Sequence, residues 1–99
     1  MTLCSFRKYA EALTNFEQAI ERDTTLAHAY YGKGLSLYSL KRYEEALAAF
    51  EQAIRIRPNY GLYHYEKGCI LERMEELYQA RDAYSKAQEF RYNTSYHLA

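Results

Sequence analysis

The sequence predicts an all-α protein, a solenoid of stacked helical hairpins with about five antiparallel helices. Three observations predict it. The chain repeats itself at an offset of thirty-four residues, a period that belongs to two-helix units laid side by side. Within each copy the apolar residues return at three- and four-residue spacing, the mark of a buried helical face. Glycine recurs at one mid-helix place, Gly34 and Gly68. A glycine there costs about 1 kcal/mol relative to alanine, so its return implies the close approach of a neighbouring helix.

The repeat is strongest between the first two copies. Leu3, Ser5, Tyr9, Glu11, Ala12, Leu13, Phe16, Glu17, Gln18, Ala19 and Ile20 recur as Leu37, Ser39, Tyr43, Glu45, Ala46, Leu47, Phe50, Glu51, Gln52, Ala53 and Ile54. The third copy is looser: Tyr31, Lys33, Gly34, Leu37, Ala46, Ala49, Ala53 and Asn59 return as Tyr65, Lys67, Gly68, Leu71, Ala80, Ala83, Ala87 and Asn93. The frame divides the chain into a partial first repeat at 1–26, full repeats at 27–60 and 61–94, and a truncated start or tail at 95–99.

The elements follow in order. Residues 1–6 are too few to form the first helix of the first unit by themselves, which leaves its second helix, roughly 8–22, without its usual partner. The next helix carries two stripes. Ala27, Tyr30, Gly34 and Leu37 form a packing stripe, and His28, Tyr31, Leu35 and Tyr38 form a second about 100° further round. The helix after it buries Tyr43, Ala46, Leu47, Phe50, Ala53 and Ile54, while Glu44, Glu45, Glu51, Gln52 and Arg55 stay wet. Glu51 and Arg55 are spaced for a weak i,i+4 ion pair. Pro58 ends this helix, and Asn59 is a candidate cap for the next. In the third unit Arg81 and Gln88 stand where earlier copies have leucine and isoleucine, so the last helix has lost half its apolar stripe. It reads as the capped end of an array whose other end is open.

Composition narrows the function. Thirteen basic and thirteen acidic side chains cancel without gathering, which argues against nucleic acid as partner. No apolar run approaches membrane-spanning length, and the first residues are too short for a signal-peptide core. Cys4 and Cys69 are too few for a disulfide framework and lack metal-ligand spacing. A cytoplasmic protein is expected. His28, His64 and His97 fall in different slots of the repeat and do not converge. His64, on the packing stripe, reads as a half-buried core histidine. No phosphate loop or metalloprotease motif occurs, so no catalytic residue, metal or cofactor is expected. Twelve tyrosines and no tryptophan suit helix interfaces and binding surfaces alike.

Tyr30, Lys33, Gly34, Leu37, Ala46, Phe50 and Pro58 resemble the tetratricopeptide repeat, and His64, Lys67, Gly68, Leu71, Ala80 and Tyr84 follow the same pattern more loosely. Ala12 and Phe16 carry its second half. Lys33 and Lys67 replace the family's leucine, and Thr24 and Tyr92 its proline. The resemblance implies a right-handed solenoid in which first helices line a concave groove. The groove residues it implies are His28, Tyr31, Leu35 and Tyr38, with Gly32 and Ser39 beside them. From the third unit come Leu62, Tyr65, Cys69 and Glu72, flanked by Glu66 and Arg73. Burial of Leu35, Leu62 and Cys69 against the neighbouring unit is the alternative reading. The lysine, asparagine and arginine clamp of family members that hold chaperone tails has no match in Tyr31, Leu35, Leu62 and Glu66. The expected function is capture of a peptide or helix of another protein. The competing one is homo-oligomerisation through the open end, around Phe6, Tyr9, Leu13 and Phe16.

Overall fold

The computed structural model describes residues 3–90, with side chains from residue 6 onward. Expectations placed on Cys4, Tyr92, Asn93, His97 and the segment 95–99 lie outside the described residues and side chains. Among the described residues five helices follow one another: α1 (Leu3–Arg22), α2 (Ala27–Ser39), α3 (Tyr43–Ile56), α4 (Gly61–Arg73) and α5 (Leu77–Glu89). The most extensive contacts are within the hairpins α2–α3 and α4–α5, and the pairs α1–α2 and α3–α4 join them into one array.

Each hairpin turns in the same way. Lys41 and Glu75, one repeat apart, both adopt the left-handed conformation, with φ of 62° and 63°. The Lys41 amide donates to the Tyr38 carbonyl and the Arg42 amide to that of Leu37, each at 2.9 Å. The Glu76 amide makes the corresponding bond to Leu71 at 2.9 Å. This paired closure satisfies carbonyls that the helix end would orphan. It is made here without the glycine that normally occupies the left-handed place.

Phe50 fills the centre, fully buried among Leu37, Ala46, Ala49, Ile70, Leu71, Ala80 and Ala83. Its ring lies on Gly34: a Cβ there would stand 2.5 Å from Phe50 Cε1, and one on Gly68 would stand 2.7 Å from Tyr84 Cε1. The repeated glycine is therefore a seat for the aromatic ring of the partner helix. A smaller cluster of Ala27, Ala53 and Tyr63 packs with Tyr30, Tyr31, Ile54, Ile56 and Tyr60. Tyr63, fully buried, replaces the alanine found at the same place in α2, Ala29.

Several expectations require correction. The first helix begins at Leu3, before the expected start near residue 8, because adding residues to an existing helix avoids the cost of a new nucleus. Arg7, the counterpart of Lys41, is consequently helical and makes no turn. Gly32 is buried beneath the Phe16 ring and offers nothing to a groove. Asn59 does not cap α4: the cap residue is Tyr60, with no side-chain bond. Glu51 turns to Lys67 Nζ of α4 at 3.5 Å, an ion pair across helices that the i,i+4 reading with Arg55 overlooked.

Candidate partner-binding groove

α2 and α4 are the first helices of successive hairpins. Their backbones are not among the closely packed pairs, and long side chains span the space between them. At the N-terminal end His28 Nδ1 lies 3.0 Å from the hydroxyl of Tyr63. The ring of Tyr31 stands 5.1 Å from that of His28, 5.4 Å from Tyr63 and 6.1 Å from Phe50. Tyr60 meets Tyr63 edge-on at 4.7 Å, with the Arg57 guanidinium 4.4 Å above its own ring. Offset and edge-to-face ring pairs of this kind are favourable beyond the area they bury. They hold exposed His28 and half-buried Tyr31 in fixed orientations.

A second cluster occupies the C-terminal end. Tyr38 meets Tyr43 edge-on at 5.7 Å and accepts a 3.1 Å bond from Arg73 Nε. Tyr84 donates to Glu72 Oε1 at 2.6 Å, and its ring lies 5.8 Å from that of Tyr65. Tyr38, Cys69, Glu72, Arg73 and Tyr84 enclose a recess of about 350 Å³. The Arg73 guanidinium is held further above its ordinary range by the Tyr38 hydroxyl. Loss of water raises the Tyr84 phenol, and its bond to the Glu72 carboxylate adds to the effect. Burial pushes the Cys69 thiol up as well, which keeps it in the unreactive thiol form near neutral pH.

Leu35, Leu62 and Glu66 are all half-buried. Leu35 packs against the main core, so part of its surface is spent inside the array. Glu66 makes no ion pair with any described residue, and burial alone raises its carboxyl above the usual range. The structure thus brings Tyr38, Cys69, Glu72 and Arg73 together around one recess and sets Tyr31 beside His28. Sequence reasoning missed Tyr63 and Tyr84 there. The signal was available in the repeat register, where Tyr63 stands for an alanine and Tyr84 for the two phenylalanines.

The N-terminal end is less open than expected. Leu13 is only 8 % exposed and belongs to the main core, and Phe16 is laid over Gly32 of α2. Phe6 and Tyr9 remain 50 % and 37 % exposed. On α5 Leu77 and Tyr78 are exposed too, at the end read as capped. His64 is buried, its Nε2 donating to the Pro58 carbonyl at 2.7 Å, with its ring 5.3 Å from Phe90. Among the described residues no group of His, Cys, Asp and Glu side chains could hold a metal ion. No helix there is long and apolar enough to cross a membrane.

Comparison with known proteins agrees with this fold. Three solved structures of MamA are similar to the chain. MamA from MSR-1 is 28 % identical, with a TM-score of 0.80, over 84 % of this chain and 48 % of its own. MamA from AMB-1 is 28 % identical, with a TM-score of 0.79, over 84 % of this chain and 49 % of its own. MamA from Desulfovibrio magneticus RS-1 is 25 % identical, with a TM-score of 0.82, over 89 % of this chain and 50 % of its own. The present chain therefore spans about half the length of the structures it matches. No curated protein matches it. The profile of the tetratricopeptide repeat family matches residues 5–61. Stacked repeats of this kind are built to present extended binding surfaces to other proteins. By its repeat, its helices and this match, the chain belongs to the tetratricopeptide repeat family.

Proposed function

We propose that this chain is a non-catalytic scaffold that holds a peptide or a helix of a partner protein in the groove between α2 and α4. The observation that carries the reading is the set of pinned tyrosines on that face. Tyr31 and Tyr38 are tied by ring pairs and, for Tyr38, by Arg73. Tyr65 stands against Tyr84. A tyrosine offers a large contact area with few rotatable bonds, and fixing it beforehand lowers the entropy lost on binding. Such rings are frequent anchors of protein interfaces. The test is panning of a displayed library of 12-residue peptides on the immobilised chain. Replacing Tyr38 and Tyr65 together by alanine should weaken the selected peptides at least about tenfold, since truncated anchors typically cost 2 kcal/mol or more. Circular dichroism checks that both proteins remain helical. Unchanged binding by the double variant would refute the groove.

A second reading, self-assembly through α1, is favoured by one observation. Phe6 and Tyr9 are exposed, whereas Leu40 and Met74, the counterparts of Phe6, are half-buried in their own hairpins. Sedimentation across a concentration range decides it. A dimer that dissociates when Phe6 and Tyr9 are changed to serine would support assembly through this face, and a monomer at all concentrations would dismiss it.

A further inference from the structure

Glu66, on the face assigned to the groove, has no ion-pair partner among the described residues. It is half-buried on α4, and helical spacing sets Leu62 one turn before it and Cys69 one turn after. Two cationic side chains of the same helix are engaged elsewhere. Lys67 reaches Glu51 of α3 at 3.5 Å, and Arg73 bonds the Tyr38 hydroxyl at 3.1 Å. A carboxylate that has lost water without gaining a cation is unfavourable, and burial accordingly raises its affinity for a proton. A cationic group brought by a ligand would supply what the fold withholds, at a site already dry enough for the pairing to count. The counterpart of Glu66 in the preceding unit is Gly32, covered by Phe16, so among the described residues the acid stands at this repeat place once.

We infer that Glu66 is the seat for a lysine or arginine side chain of the bound segment, flanked by apolar residues that lie on Leu62 and Tyr65. The inference rests on the groove reading above and adds to it the chemistry of the partner: an apolar peptide carrying one basic residue.

The probes are acetylated, amidated 12-residue peptides made in matched sets, with lysine, arginine, norleucine or glutamate at one central position between leucine, tyrosine and alanine neighbours. Fluorescence anisotropy should show the lysine and arginine members binding about tenfold or more tightly than their norleucine twins, the range of a hydrogen bond to a charged group. Glu66→Gln should erase that preference while leaving the affinity for the norleucine peptides in place. Glu66→Lys should transfer the preference to the glutamate members. Equal binding of lysine and norleucine peptides by the native chain, or a preference that survives Glu66→Gln, would overturn the seat and leave the groove standing. No binding of any member, or binding indifferent to the loss of Tyr38 and Tyr65, would remove the groove and the seat together.

Discussion

The glycines of α2 differ in what a methyl group would meet, and the difference is decided by the freedom of the ring above each. Phe50 is fully buried over Gly34, whereas Phe16 is half-buried over Gly32. Alanine improves helix propensity by about 1 kcal/mol at either place, but a confined ring forces overpacking that typically costs about 1–3 kcal/mol. Gly34→Ala should therefore lower the melting temperature clearly, and Gly32→Ala should lower it less or leave it unchanged; thermal denaturation followed by circular dichroism compares them. Glu66 makes a second prediction at this scale. Burial raises its folded carboxyl above the unfolded value of about 4.3, so the folded state favours the protonated form. Its contribution to stability is then complete below the unfolded value and is lost as pH rises through the folded one. Glu66→Gln should melt above the native chain at pH 7, and the gap should close as pH falls below about 4. A gap that widened in acid would contradict the assignment of burial as the cause.

At the scale of elements the two hairpin turns carry strain of a simple kind. Lys41 and Glu75 occupy the left-handed conformation in turns otherwise closed by good hydrogen bonds. An L-residue pays roughly 1–2 kcal/mol there, which glycine avoids while losing more backbone freedom on folding. Both side chains are exposed, so their removal sacrifices no packing. Lys41→Gly and Glu75→Gly should each stabilise the fold by about 0.5–1 kcal/mol in chemical denaturation, and the effects should add because the turns are separate. The same logic explains α1. Arg7 stands at the same repeat place but follows no hairpin partner among the described residues, and the helix runs straight through it.

For the whole molecule, stability is distributed along an array in which each helix leans chiefly on its neighbours. Phe50, Leu37, Ile70 and Leu71 lie in the middle and are fully or almost fully buried. α1 contributes Leu13 to that core and otherwise keeps much of its surface wet. Opening of α1 should therefore require less free energy than opening of α2, α3 or α4. Native-state hydrogen exchange should show amides of 8–20 exchanging through a partial opening, while those around Phe50 and Ile70 exchange only with global unfolding. Equal protection along the chain would mean that five helices fold as one indivisible unit.

The helices and their pairing were legible in the sequence because they depend on period. A match at thirty-four residues, an apolar stripe and a recurrent glycine each survive being read in one dimension. The close approach of a neighbouring helix at Gly34 follows from the same register, as does the exposure of Arg81 and Gln88, whereas the aromatic ring seated there was found only in the structure. What tertiary structure decided is which side chains of different repeats meet. Spacing put Tyr31 and Tyr38 on one face, but only the approach of α4 gave them Tyr63 and Arg73 as partners. Spacing suggested Arg55 for Glu51, and the third dimension supplied Lys67. It also spent Leu13 and Phe16 on α2 and left Phe6 and Tyr9 outside. Periodicity records the face a residue occupies on its own helix. Its partners depend on the angle and distance at which other helices cross that face, and these are set by the packing of the whole array.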